Sequence, residues 1–359
     1  MTKRRVLWIV NHKTLMAAEI PILRSLGWEV FVPKILPSRH DPGFRSSGTT
    51  YEHDAGLELP PATLRVLNRH DFIEGDWPPT IEDIINSHFE VVVSHFSYYL
   101  NPLSEAATKF RGVLIARAFG REHPRRFTQF ASLCARPGLL NDLAAMGERF
   151  IFGQGYQNIA EIEDPPLPQR AHTIGVPLPD RIYGCQDTWD GSGGRIIFLC
   201  PSAGVFGYYN DLYMGIKREF GDLPHVIFGN QPKPVDDPAV LNYVPDEELI
   251  ELYRSAPVFV YPSVEPRHIH YSPLEAIVVG TPVLYRRGTL IDALAGGALP
   301  GSCGDVVEMR QKAKRLLGGD THLAEMIRVT QKRILKSFGS DLVRRQWAEV
   351  LPRQRSAIA

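Results

Sequence analysis

The chain has 359 residues, too many for one small domain and a good fit to two of ordinary size. Hydrophobic residues make up 44% and charged residues 22%, the composition of a folded, water-exposed protein. The 40 Lys and Arg balance the 40 Asp and Glu, which argues against a nucleic-acid binder, whose surface carries a basic excess. None of the four cysteines forms a CxxC pair, so neither a zinc site nor a disulfide framework is expected.

The chain opens MTKRRVLWIVNHK, a basic start and an apolar run. Val6–Val10 is too short for a signal-peptide core, and no stretch approaches the roughly 18 apolar residues of a membrane span. The expectation is a cytoplasmic protein, brought to a membrane surface if its partner is lipid-linked. Val6–Val10 reads as a buried strand, Thr14 to Leu26 as a helix closed by Gly27, and Trp28–Pro33 as a second strand. This is a βαβ unit, which implies a parallel sheet covered by helices. Leu36 to Pro60 reads as a long loop rich in Pro, Gly, Ser and His. Helix (81–89), strand (90–94), helix (103–110) and strand (112–118) follow, and 150–153 closes the half as a last strand.

Between 163 and 190 five prolines and a terminal Gly-Ser-Gly-Gly run read as a linker. A second alternating half follows: strands at 195–200, 225–228, 258–261 and 282–285, helices at 210–220, 246–255, 274–279, 306–317 and 323–338. The expected organisation is an N-terminal Rossmann-like domain (1–175), a linker (176–194), a second Rossmann-like domain (195–338) and a C-terminal helix or tail (339–359) that packs back on the first. Ligands of such sheets bind at the carboxyl ends of the strands.

The most informative segment is Val244 to Glu265 with its continuation Ser272 to Val283. It reads helix, strand, loop, helix, strand, with Asp246 capping the first helix. Ser272 or Pro273 starts the second and places Glu275 in its first turn. A helix start offers unpaired N–H groups and a positive dipole end to an anion such as a diphosphate. Arg267, His268 and His270 add donors, and a carboxylate such as Glu275 can accept both hydroxyls of a ribose. The bland alternative is that Glu275 merely stabilises its own helix start, by about 0.3–1 kcal/mol. His268 and His270 lack a third ligand for a metal. Asp236-Asp237 has the wrong spacing for a metal-binding DxD, and Gly204 and Gly207 make no GxGxxG fingerprint, which disfavours a dinucleotide dehydrogenase.

This segment resembles the retaining GT-B glycosyltransferases, above all the family 4-like group (glycosyltransferase group 1). His172-Thr-Ile-Gly175-Val-Pro resembles the family's turn before the donor domain, and Val226-Ile-Phe-Gly229-Asn its strand before the base-binding loop. Val91-Val-Val-Ser-His95 resembles a strand that ends in a His near the donor sugar. The resemblance implies an α/β protein with two Rossmann-like domains facing a central cleft, and transfer of a sugar from a nucleotide-activated donor to a hydroxyl of a glycan or lipid-linked glycan. Retention of configuration, no metal and no cofactor beyond the donor are implied with it.

By the same resemblance His95 and Glu265 serve catalysis. Glu275, Arg267, His268, Ser272, Pro273, Leu274, Tyr243, Val244, Gly229, Ser202 and Gly204 hold the donor. From their places at the carboxyl ends of strands, and not from the resemblance, His12, Thr14 and Glu19 are acceptor-side candidates, Arg117 with Arg121 would bind acceptor or donor charge or merely cover the surface, and His53 with Asp54 would supply a general base only if the enzyme inverts. Two departures stand out. Nine residues separate Glu265 from Glu275, two more than the family pattern has, and Pro201 to Tyr208 carries no basic residue where the family places an Arg and a Lys. A sugar-nucleotide epimerase on the same fold, or a non-catalytic sugar-binding protein, are the rival readings.

Overall fold

The computed structural model describes residues 3–10, 12–33, 57–96, 100–205 and 207–353; His53, Asp54 and Asn11 lie outside them, as do the side chains of Lys13 and Thr14. The chain divides into two units, residues 1–177 with 338–359, and residues 178–337.

Unit 1 is built on a parallel sheet of strands β1 (Arg5–Trp8), β2 (Glu29–Phe31), β3 (Val91–His95), β4 (Val113–Ala118), β5 (Phe150–Gln154) and β6 (Ala171–Thr173), in the order β2-β1-β3-β4-β5-β6. β1, β3 and β4 are near-continuous apolar runs because helices cover both faces of such a sheet. β6 is a further strand beyond the expected last one. Its Ala-His-Thr is only partly buried and gives no apolar signal. Helices Pro61–Arg69, Phe127–Cys134 and Leu139–Ala145 were also not expected; the first buries only Leu67.

The first helix runs Lys13–Ser25, and Gly27 closes it at φ 83°. The C-terminal helix Ser340–Val350 belongs to this unit. Its Trp347 ring lies 6.3 Å from that of Trp8, and Gln346 accepts the Gly175 N–H at 2.8 Å.

Unit 2 holds β7 (Ile196–Leu199), β8 (His225–Phe228), β9 (Phe259–Tyr261), β10 (Val283–Arg286) and β11 (Ser302–Cys303) in the parallel order β11-β10-β9-β7-β8. Ile196, Phe198, Ile227, Val260 and Leu284 form its core with Ile216, Met309 and Ile327 from the helices. The stretch that reads as a linker is bonded onto this unit. It carries a short helix, Asp180–Tyr183, and the N–H groups of Asp187, Trp189 and Gly193 donate to the carbonyls of Val278, Val279 and Ser255.

In both sheets the strand order reverses direction beside the first strand, between β1 and β3 and between β7 and β9. The loops leaving the carboxyl ends of that pair of strands diverge there, and the crevice they leave is where open α/β sheets take ligands.

Candidate functional site

In unit 2 the crevice is framed by the loop after β7 and the loop after β9. Ser202 sits at φ 57°, and its N–H donates to Asn230 O at 2.9 Å. Gln231 braces the loop by accepting the Ala203 N–H and donating to Cys200 O, each at 2.8 Å. Asn210 donates to Ala203 O at 2.9 Å. Gly229, at φ 131°, has no room for a side chain, since a Cβ would meet Pro201 N at 2.8 Å. At Gly204 a Cβ would come within 3.2 Å of Val235. These residues shape the loop through backbone; Gln231 and Asn210 went unnoticed in the sequence because a bracing amide has no motif.

The helix after β9 begins at Tyr271, with His270 as N-cap, one residue before the expected start. Pro273 is tolerated in the first turn because its missing N–H would find no partner there. Glu275 therefore stands one turn into the helix rather than in its first turn, and the helix-start explanation for it falls away. Its side chain is buried. Tyr253 donates to Oε2 at 3.2 Å, and an Arg181 nitrogen lies 3.8 Å from Oε1. Burial raises the carboxyl above its ordinary range, against the opposing pull of Arg181 and Tyr253. Arg181 pairs more closely with Asp246, at 2.9 Å. Asp246 is the first helical residue and not the cap, which is Pro245.

Glu265 is also buried, and its backbone N–H donates to Ser263 Oγ at 3.3 Å. Arg267, His268 and Ser272 are half-buried, and Pro273 and Leu274 are core residues. The His268 ring packs edge-on against His270 with centroids 4.6 Å apart. Tyr243 is 69% exposed and Val244 half-buried. Asp237 is bonded to Tyr213 at 2.8 Å and Lys217 at 2.9 Å, a structural turn.

His270 ties the two loops together. Its Nε2 lies 3.2 Å from the Tyr209 hydroxyl and its Nδ1 3.0 Å from that of Tyr261. Burial, with His268 nearby, holds the imidazole well below its ordinary pKa, so it is neutral. Tyr208 reaches Ser263 Oγ at 3.3 Å.

In unit 1 the matching crevice brings His12 and His95 into one neighbourhood. His12 caps the first helix, its Nδ1 accepting the Leu15 N–H at 3.2 Å, which requires that nitrogen to be unprotonated. Part of His12 reaches solvent, yet the atoms around its ring desolvate it and lower its pKa to about 4. His95 ends β3 and stacks on Phe119, with centroids 5.2 Å apart and planes at 28°. Burial first, then His12, Arg117 and Arg121, push its pKa down to about 3. Both histidines are neutral at physiological pH.

Arg117, expected on the acceptor side, is fully buried. It donates to both Glu19 oxygens at 2.7 and 3.1 Å and to the carbonyls of Gly153, Ile174 and Gly175. Its donors are thus committed to holding the first helix against β5 and the turn after β6. Arg117 and Glu19 are structural. Arg121 lies against the Phe130 ring at 4.2 Å.

No family model matches this chain. No curated protein matches it in sequence. Solved structures do match in fold. A glycosyltransferase from Rickettsia africae superposes with a TM-score of 0.57 over 98% of each chain at 12% identity. HepE from Anabaena, solved in complex with UDP and glucose, gives 0.62 over 96% of this chain and 98% of its own at 11% identity. The α,α-trehalose 6-phosphate synthase of Burkholderia multivorans gives 0.59 over 98% of both at 10% identity. Together with its two parallel, Rossmann-like α/β sheets, these matches show that the chain has the GT-B glycosyltransferase fold.

Proposed function

We propose that the chain is a glycosyltransferase that moves a sugar from a nucleotide-activated donor to a hydroxyl acceptor, with the donor bound in the unit 2 crevice. The observation that carries this reading is Glu275. It is a buried carboxylate on the helix that leaves the crevice, held by Tyr253 on one oxygen, in a GT-B fold. A carboxylate has about four acceptor sites, enough to take two ribose hydroxyls beside the Tyr253 bond. HepE, which shares the fold, was solved with UDP and glucose, which supports a nucleotide and sugar here.

In this reading the nucleotide sits on the loops around Gly229, Ser202 and Gly204, with Tyr243 and Val244 beside the base. Arg267, His268 and the helix start Ser272-Pro273-Leu274 face the diphosphate, and Glu265 holds the donor sugar. His95 and His12, neutral and able to exchange a hydrogen bond with a hydroxyl, serve the sugar and acceptor in unit 1, with Thr14. Donors aimed at the departing diphosphate would supply much of the rate. Retention of configuration, a glycan or lipid-linked acceptor, and transfer without metal or further cofactor complete the proposal. Among the described residues no helix is long and apolar enough to cross a membrane.

The test is a thermal-shift panel of UDP, GDP, ADP and CMP. A ligand at a hundred times its dissociation constant stabilises by about 2.7 kcal/mol. Glu275→Gln keeps the volume and the Tyr253 partner, and is expected to abolish the shift of whichever nucleotide binds. An undiminished shift would remove Glu275 from the site.

A further inference from the structure

Arg117 and Arg121 stand at the carboxyl end of β4, on either side of Phe119 and Gly120, and only the first has protein partners. Arg117 is taken up by Glu19 and three carbonyls. Arg121 is half-buried, and among the described residues it makes no hydrogen bond and no ion pair; its Nε is shut off from water without an acceptor. The guanidinium lies instead over aromatic rings, its carbon 4.2 Å from the centre of Phe130 and 5.7 Å from that of Phe127.

The carboxylates around this segment are engaged elsewhere. Glu122 turns to Arg125, at 3.8 Å, and Asp164 pairs with Arg126 at 2.9 Å. Glu163 accepts the N–H groups of Phe127 and Thr128, each at 2.8 Å, and so closes the start of the helix Phe127–Cys134 that carries both rings. Drawing a cation part-way out of water costs free energy that a counter-charge normally offsets. A phenyl face recovers some of that cost. It leaves the N–H donors untaken, and these lie in one plane and match the paired oxygens of a phosphate or carboxylate.

Arg121 also stands beside the unit 1 crevice. Phe119, two residues earlier, is the ring on which His95 stacks at 5.2 Å, and Gly120, at φ 86°, makes the bend between Phe119 and Arg121. After burial, His12 and Arg117, the charge of Arg121 acts on the His95 imidazole as well.

We propose that Arg121 anchors an anionic group of the acceptor, a phosphate or a carboxylate, so that the acceptor is a charged sugar and not a neutral one. This rests on the glycosyl-transfer reading above, which gives the acceptor to unit 1 beside His95.

Glucose 6-phosphate, glucuronate and neutral glucose are titrated into the wild type and Arg121→Gln, followed by nitrogen-15 NMR of the arginine Nε–H groups. In the wild type at least one of the two anions is expected to bind and to move the Arg121 signal, and glucose to leave it in place. The anion that responds tells a phosphate ester from a carboxylate. Arg121→Gln is expected to bind that anion about tenfold more weakly or worse, the size of a hydrogen bond to a charged group. UDP, GDP and ADP are titrated in parallel, and the variant is expected to bind them as the wild type does, which also shows that it keeps its fold. No response to either anion, an equal response to glucose, or equal anion affinity in the variant overturns the inference and leaves the donor reading standing. A nucleotide that binds more weakly to Arg121→Gln overturns it too, because the anion then belongs to the donor. If the wild type binds an anion at Arg121 but no nucleotide, the glycosyl-transfer reading fails, and the anion site stands without an acceptor's role.

Discussion

Replacing Arg117 by Met removes one partner of a fully buried ion pair and leaves a side chain of similar length. Glu19 loses two charge-assisted hydrogen bonds, at 2.7 and 3.1 Å, and three carbonyls lose a donor. Burial already raises the Glu19 pKa, and Arg117 is the main force opposing that rise. Breaking a buried pair from one side costs about 3–5 kcal/mol. The assay is urea unfolding followed by tryptophan fluorescence. Trp8, Trp28, Trp77 and Trp347 all lie in unit 1, and Trp347 is 5.6 Å from the guanidinium, so four of the five tryptophans watch the unit that should weaken. Loss of about 3 kcal/mol or more is expected. Adding Glu19→Met should recover part of it, because the stranded carboxylate is then gone, though the three carbonyls remain unserved. A loss below about 1 kcal/mol, or no recovery in the double variant, would refute a structural role and return Arg117 to the list of ligand contacts.

The acid side of the stability profile should depend on His95. Its folded pKa, about 3, lies below the ordinary 6.5, so the unfolded chain binds the proton first as pH falls. Stability is therefore lost from about pH 6.5 down toward 3, at up to about 1.4 kcal/mol per pH unit for one proton, and His95→Gln should flatten that slope in urea midpoints measured at pH 7 and 4.5. Gly229→Ala forces a Cβ to 2.8 Å from Pro201 N at a φ of 131°, and should lower the melting temperature and weaken nucleotide binding together; binding unchanged in calorimetry would separate that loop from the site. Tyr253→Phe removes a hydroxyl that holds Glu275 and should reduce nucleotide affinity several-fold, less than Glu275→Gln does; equal affinity to wild type would show that Glu275 needs no orienting bond from Tyr253.

The alternation of apolar runs with helical spacing made the two parallel sheets readable, because strands such as Val91–His95 are buried on both faces and written in Val and Ile. β6 and β11 were not readable for the opposite reason: three and two residues, sparsely apolar, are placed by a neighbouring strand rather than by their own pattern. The segment from Val244 to Val283 was legible as a motif but not in its details. The start of the helix at Tyr271 was not readable because an N-cap His is not a usual signal and His270 makes no side-chain cap bond, so the burial of Glu275, one turn in, was missed with it. Arg117 looked like a ligand contact at a strand end. Only the fold shows that Glu19, 98 residues away in sequence, meets it. Tyr209, Tyr253 and Tyr261 went unread as polar residues, since an aromatic in an apolar run is indistinguishable from core until its hydroxyl finds a partner.

The central claim is that the crevice of unit 2, at the ends of β7 and β9, holds a nucleotide. Hydrogen exchange with and without a saturating nucleoside diphosphate tests it most directly. Added protection is expected in residues 200–205 and 262–270 and in the first turn of the helix Tyr271–Val279. No protection in these segments when nucleotide is bound, or protection confined to unit 1, would contradict it.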